Sequence, residues 1–530
     1  MKQLFVNGTI LTMERELYAQ AVLTEDGKIL SVGNLDDLIA QAGPDVQKVD
    51  LGGCTLLPAF VDAHSHFSAV ATGMLQLSVE TCSSFRELEE AIRAFISQRG
   101  IAKDEWILAK GYDQNRLQEG GHPPLSLLDR AAPSNPLMLQ HQSGHMGVFN
   151  SAALKRLEVN PDTPSPEGGR IGREDGHLTG YMEENAFLEY QKRVPLPSTE
   201  ALLEAYRQAQ RLYASYGITT VQEGMVTEQL APIYQSLLQS GQLQLDVVGY
   251  LDAAARQPLL HTFEKHLGRY HGHFKVGGYK IFLDGSPQGR TAWLRQPYAG
   301  EASYCGYNTL SDEQVESYLR QAIQDNMQLL AHCNGDAACG QYLAAGKKVA
   351  GGQAGRNGIA SIRPVMVHAQ LLGLDQLELV RELSIIPSFF IAHIYHWGDI
   401  HLRNLGPERS NSISPAHSAL KKGILYTFHQ DSPVIVPDML ETVWCAVLRK
   451  TKEGRILGPE ERISVLDALR AVTIHSAYQY FEERQKGSIA PGKKADFVVL
   501  NRDPLAVEPE TLRDIQVLET IQGGRTIYRR

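Results

Sequence analysis

The sequence predicts an α/β fold: a (β/α)8 TIM-like barrel with a small β-sandwich domain built from both termini and an inserted lid segment. Three observations predict it. Eight apolar runs alternate with helical stretches through the middle of the chain, β-type texture is confined to the two ends, and a stretch rich in Pro, Gly and His interrupts the early middle. The division that follows is 1–56 and 485–530 for the sandwich and 57–484 for the barrel, with the insertion at about 80–197.

Bulk properties narrow the class. A chain of 530 residues exceeds one compact core. Its 43% apolar and 21% charged content is that of an ordinary globular enzyme. The net charge of −9, without a long basic run, argues against nucleic acid and an anionic membrane as partners. The first residues turn polar too soon for a signal peptide, and no run is apolar enough to span a bilayer. Six cysteines without a Cys-x-x-Cys pair predict reduced thiols in a cytoplasmic protein and no cysteine-built zinc site.

In chain order, residues 1–55 hold short β-type runs separated by the hairpin dipeptides Asn7-Gly8 and Asp26-Gly27. The same texture returns at 495–500 and 517–528, and chain ends commonly lie close together, so the two ends are expected to pair. Residues 86–98 carry Leu88, Ala91, Ile92, Phe95 and Ile96 on one helical face. Residues 101–197 do not alternate cleanly and read as the insertion. From about 198 a strand–helix rhythm begins with an amphipathic helix over 202–216, ended at Gly217. The eight candidate strands are 56–63, 218–221, 245–250, 276–283, 327–330, 364–367, 383–386 and 424–428. The glycine-rich stretch at 351–358 lacks the Lys-Ser/Thr ending of a phosphate loop and reads as a surface loop.

Polar residues gather at the ends of these runs. The first closes in His64-Ser65-His66, whose imidazoles point the same way on an extended chain and suit a divalent metal such as zinc. Read alone, His-x-His describes two polar loop histidines equally well. Lys280 sits inside an apolar run, where an unpaired ammonium costs several kcal/mol and calls for a partner, a shifted pKa or a modification. The later runs end in His332, His368 and the segment Thr427-Phe428-His429-Gln430-Asp431. Each residue has a structural explanation of its own, a core hydrogen bond or a helix cap. Their shared position at strand ends is where a barrel enzyme places its active site.

These residues carry a resemblance. Leu57-Pro-Ala-Phe-Val-Asp-Ala-His-Ser-His, His145-Met-Gly-Val-Phe-Asn-Ser-Ala-Ala-Leu, Lys280-Ile-Phe-Leu-Asp-Gly-Ser, His332-Cys-Asn-Gly-Asp-Ala, His368-Ala-Gln, Asp431-Ser-Pro-Val and Gly487-Ser-Ile-Ala-Pro-Gly-Lys-Lys-Ala-Asp occur in order. The chain resembles the amidohydrolase superfamily, specifically the YtcJ-like metal-dependent hydrolases, over essentially its whole length. Departures are Pro58-Ala59 in place of Pro-Gly and Gln430 where many relatives have Ser. The resemblance implies a metal set of His64, His66, Lys280, His332, His368 and Asp431. His64, His66 and Asp431 would hold one metal and His332 and His368 a second, with Lys280 as a CO2-derived carbamate between them. One or two divalent metals per chain are expected, zinc being the default for a histidine-rich set and Mn²⁺, Fe²⁺ or Ni²⁺ fitting as well.

The implied function is metal-dependent hydrolysis of a non-peptide carbon–nitrogen bond, amide or formamide-like, through metal-activated hydroxide with Asp431 as general base. Alternatives are a deaminase of a cyclic amidine and a catalytically silent binding or regulatory protein on the same scaffold. His145, in the insertion, is expected either to touch substrate or to order the lid. Arg290 either pairs with an anionic substrate group or holds its loop. Trp397, with His393, Tyr395 and His396, follows the seventh run and is expected to line the mouth with an aromatic wall. The partners expected are a small-molecule substrate and a second copy of the chain in a homodimer.

Overall fold

The architecture is that of a computed structural model, which describes every residue except 1, 196, 353 and 354. The chain forms two compact units, Met1–Ala69 with Ala209–Arg530, and Val70–Gln208.

In the first unit, eight parallel strands make one curled sheet. They are Phe60–Val61, Ile218–Val226, Asp246–Asp252, Phe274–Phe282, Gln328–Cys333, Val365–His368, Ile386–Phe389 and Thr427–Phe428, and they lie in chain order. Most positions along them are buried, which is why they read as continuous apolar runs rather than as alternation. Helices return the chain between several of them. One example is Asp312–Gln324, begun by a capping box of Ser311 and Gln314. The two edges of the sheet meet beyond their last residues, where Asp431 N–H donates to His64 O (3.2 Å) and His66 N–H donates to Ser432 O (2.8 Å).

Two of the expected strands are corrected. Residues 56–63 serve two sheets: Thr55–Pro58 pairs with Phe497–Leu500 and Thr9–Leu11, and Phe60–Val61 pairs with Ile218–Val226. Residues 383–386 also split, Leu383 capping the helix Leu377–Glu382 and the strand beginning at Ile386. In both cases a mostly apolar run, interrupted by Asp62 or Ser384, looks the same whether one element buries it or two.

The chain ends form two further sheets in this unit. Lys2–Val6, Ala21–Glu25, Lys28–Gly33 and Gln47–Asp50 make one of four strands. Thr9–Leu11, Tyr18–Ala19, Thr55–Pro58, Phe497–Leu500, Val517–Gln522 and Arg525–Arg529 make one of six. Asp26 (φ 48°) and Gly27 (φ 79°) turn the first hairpin, the left-handed pair its dipeptide signals. One apolar cluster draws Phe5, Val22 and Ile29 from the first sheet and Ile10, Leu56, Phe497 and Ile521 from the second.

The second unit has its own six-stranded sheet, in the order Gly169–Glu174, His177–Glu184, Met146–Phe149, Leu137–His141, Ile107–Tyr112, Gln76–Ser78. Its strands escaped notice because Lys110-Gly111, Gln140-His141 and Gly172-Arg173 break up their apolar residues, so they neither alternate nor run on. Ile107, Ala109, Leu137 and Leu139 pack into one apolar cluster, while Leu108, Met138, Phe149 and Met182 pack into another. The helix expected over 86–98 is Phe85–Arg99, capped by Ser84 and ended at Gly100 (φ 60°).

Of the glycine-rich stretch, residues 353 and 354 lie outside the described residues, and a helix, Gly355–Ile362, stands where a loop was expected. All six cysteines are free. Among the described residues no helix is long and apolar enough to cross a membrane.

Candidate metal centre

The six candidate ligands converge at the C-terminal rim of the parallel sheet. Register places Phe282 beside His332 and Cys333 beside His368 on neighbouring strands, with Lys280 two residues below Phe282. Nε2 of His64 and Nε2 of His66 each lie 3.4 Å from Asp431 Oδ1. One donor atom from each of these three residues falls within 4.8 Å of the others. Lys280 Nζ stands 3.3 Å from His64 Nε2, and His368 Nε2 is 3.9 Å from Asp431 Oδ2. The His332 and His368 rings are 4.6 Å apart. His368 (φ 70°), Ala369 (45°) and Asp431 (55°) take left-handed backbone, which costs a non-glycine residue roughly 1–3 kcal/mol.

A second layer sets which nitrogen of each ring is free. Gln222 donates its amide N–H groups to Ala63 O (2.7 Å) and to the Tyr480 hydroxyl (2.8 Å), so its carbonyl oxygen faces His64 Nδ1. Nδ1 of His64 is therefore the protonated nitrogen, and Nε2 carries the lone pair. Asp284 acts on His332 in the same way. Its carboxylate accepts from the backbone N–H of Trp293, Asn334 and Gly335 and stands 3.2 Å from His332 Nδ1. Gly224 forms the floor under the first pair, where an added Cβ would come within 2.9 Å of Cε1 of both His64 and His66.

The electrostatics fit a divalent cation. Burial, and then Lys280 and His429, hold His64 well below the ordinary imidazole range; burial with His332 and His429 does the same to His368. His66 is pushed down to about 4 by burial, Lys280 and His332. These rings are neutral, the form that ligates a metal. Burial raises the Asp431 carboxyl against the pull of Lys280, and it lowers the Lys280 ammonium against the pull of Asp431. Asp431 Oδ1 is buried and has no hydrogen-bond partner among the described residues. Its lone pairs and that of His64 Nε2 face each other at 3.4 Å, an arrangement that a bound cation turns from repulsive to favourable. A set of nitrogen and oxygen donors without sulfur suits zinc and its first-row neighbours.

The remaining candidates take other partners. Arg290 donates to Glu301 Oε1 (2.8 Å) and its guanidinium lies 5.4 Å from the Tyr298 ring, both within its own loop. His145 belongs to the second unit, where its exposed ring is 3.3 Å from Glu184. Trp397 reaches the centre through one intermediary: the Phe390 ring is 5.9 Å from Trp397 and 6.2 Å from His368. Sequence reasoning missed Gln222, Gly224, Asp284, Phe282 and Phe390. A glutamine inside the β-branched run Ile218-Thr-Thr-Val-Gln was the available signal for the first. Phe282, 36% exposed, lies 5.3 Å from the His332 ring and 5.1 Å from Lys280 Nζ, an apolar surface beside the ligands.

The chain is similar to known proteins over nearly its whole length. YtcJ of Bacillus subtilis (strain 168) is 29% identical over 552 aligned positions, spanning 100% of this chain and 99% of its own. The N-substituted formamide deformylase of Arthrobacter pascens is 28% identical across 99% of this chain and 98% of its own. The crystal structure of an uncharacterized metal-dependent hydrolase from Pyrococcus horikoshii OT3 matches with a TM-score of 0.74 at 25% identity, over 96% of this chain and 99% of that one. Residues 47–528 match the amidohydrolase family, whose fold is typically a TIM-like barrel, and the chain belongs to that family.

Proposed function

We propose that the protein is a metal-dependent hydrolase of a non-peptide carbon–nitrogen bond in a small amide or formamide-like substrate. The observation that carries the reading is the convergence at one rim of His64 Nε2, His66 Nε2 and Asp431 Oδ1, which has no hydrogen-bond partner among the described residues. His64, His66 and Asp431 would hold one divalent metal, with Lys280, His332 and His368 beside it for a second. A metal bound there lowers the pKa of a water to roughly 7 and polarises the substrate oxygen.

The chain's own groups do the rest. Asp431 Oδ2, the oxygen on the His368 side, takes the proton of the attacking water and returns it to the leaving nitrogen, so that acid and amine are released together. Burial makes this carboxylate a stronger base than an exposed one. Phe282 and Trp397, the latter packed on the buried Phe390, offer apolar and aromatic surface to the substituent on nitrogen. Burial also favours the neutral amine of Lys280, the form that adds CO2 to give a carbamate.

The test is metal content per chain and intact mass, followed by a panel of N-formyl and N-acyl amines assayed for amine release. Bound metal, with hydrolysis lost to a chelator and restored by zinc, is the expected result. A chain that takes up no zinc overturns the reading, and ammonia release from ring amidines alone moves it to deamination.

A further inference from the structure

His429 lies two residues before Asp431, is fully buried, and has no part in the ligand set above. Its ring is nonetheless in the centre, 5.2 Å from the His64 ring, 5.1 Å from that of His368 and 5.4 Å from Phe390. Both of its nitrogens are engaged. Nε2 stands 3.1 Å from His368 Nδ1, and Nδ1 stands 2.9 Å from the Ser388 hydroxyl oxygen.

We infer that His429 is a positioning residue that holds the His368 proton on Nδ1 and thereby presents His368 Nε2 as a metal ligand. The inference rests on the metal-site reading above. His368 Nε2 is the nitrogen on the Asp431 side, so it needs its lone pair for a cation. The proton then sits on His368 Nδ1 and is donated to His429 Nε2, which must accept. His429 therefore carries its own proton on Nδ1 and donates it to Ser388 Oγ. One ordered chain, His368 to His429 to Ser388, results.

The contrast with the other ligands gives this chain its meaning. His64 faces an amide oxygen and His332 a carboxylate, acceptors that need no further arrangement. An imidazole accepts only in one tautomer, which is why Ser388, buried on the neighbouring strand, belongs to the device. Ligand histidines tied by such outer partners typically lose 10–100-fold in metal affinity when the partner is removed.

The experiment measures Zn²⁺ affinity of the full-length apo-protein by competition with a chromophoric chelator, alongside thermal melting. Wild type is compared with His429→Leu, His429→Gln and Ser388→Ala. The expected result is a 10–100-fold loss of zinc affinity in His429→Leu, substantial recovery in His429→Gln, whose amide oxygen accepts from His368, and a smaller loss in Ser388→Ala. Unchanged affinity in His429→Leu assigns His429 to packing and overturns the inference. Equal losses in the Leu and Gln variants make His429 a direct ligand and overturn it too. If His429→Leu does not fold, Ser388→Ala decides: unchanged zinc affinity there overturns the ordered chain. A wild type that binds no zinc refutes the metal reading itself, a result distinct from any variant effect.

Discussion

At the C-terminal ends of the parallel strands, Asp431 Oδ1 is buried without a hydrogen-bond partner among the described residues, beside Nε2 of His64 and His66. At their N-terminal ends, Asp246 is buried too, but it accepts from Lys486 and Lys494, both at 2.8 Å, and from His273 at 2.8 Å. The same lower cluster holds Glu482 between Lys275 and Lys486. Burial raises both carboxyls. At Asp246 the lysines overcome it and hold the group well below the carboxylate range, whereas at Asp431 burial prevails. One sheet thus carries an end whose buried carboxylates meet lysines and an end where a carboxylate oxygen faces imidazole nitrogens. Buried charge that is already paired serves the fold, and buried donors left facing one another await a ligand.

The comparison breaks most visibly at Asp431. Asp431→Asn keeps the volume and removes both the anionic ligand and the base, so amine release should fall by at least about 10²-fold with circular dichroism unchanged. Full activity in that variant would end the role given to this residue. At the other end, Lys486→Met strips Asp246 and Glu482 of a shared cation and should cost about 3–5 kcal/mol in urea unfolding. Zinc affinity of its folded fraction should be unaltered; a joint loss of stability and affinity would show that the two ends are not independent.

Smaller effects sharpen the contrast. Gln222→Ala leaves His64 Nδ1 without its acceptor, and zinc affinity should drop 10–100-fold by chelator competition. An unchanged value would mean that the tautomer is set elsewhere. The weakest effect concerns His401, a fully buried histidine bonded to His393, whose pKa burial lowers to about 4. The unfolded chain takes up this proton near 6.5 and the folded chain near 4, so the contribution is complete above 6.5 and is lost as pH falls towards 4. Urea midpoints across that window should fall less steeply in His401→Asn than in wild type, and parallel slopes would refute the assignment.

Much of the fold was legible. Six of the eight strand runs map onto single strands of the parallel sheet, because a strand covered on both faces announces itself as contiguous apolar residues. The failures have two causes. Residues 56–63 and 383–386 were mostly apolar yet divided between elements, and polar residues and glycines such as Lys110-Gly111 and Gly172-Arg173 broke up the strands of the second unit. At the site, the histidine and aspartate candidates stood at strand ends and Lys280 stood out as a charge inside an apolar run, whereas the roles of Gln222, Gly224 and His429 depend on partners far away in the chain.

The sequence alone determined where chain direction changes and which polar residues reach the rim. These are short-range properties: Asp26-Gly27 turns its hairpin, Ser84 and Gly100 bound their helix, and His64 and His66 share a face by the period of a strand. Only the tertiary structure decided which of those polar residues are satisfied. Gln222 is 158 positions from His64 and Lys486 is 240 from Asp246. Whether a buried group meets a proton, a counter-charge or another lone pair depends on which strand folds beside it, and no window of sequence contains both partners.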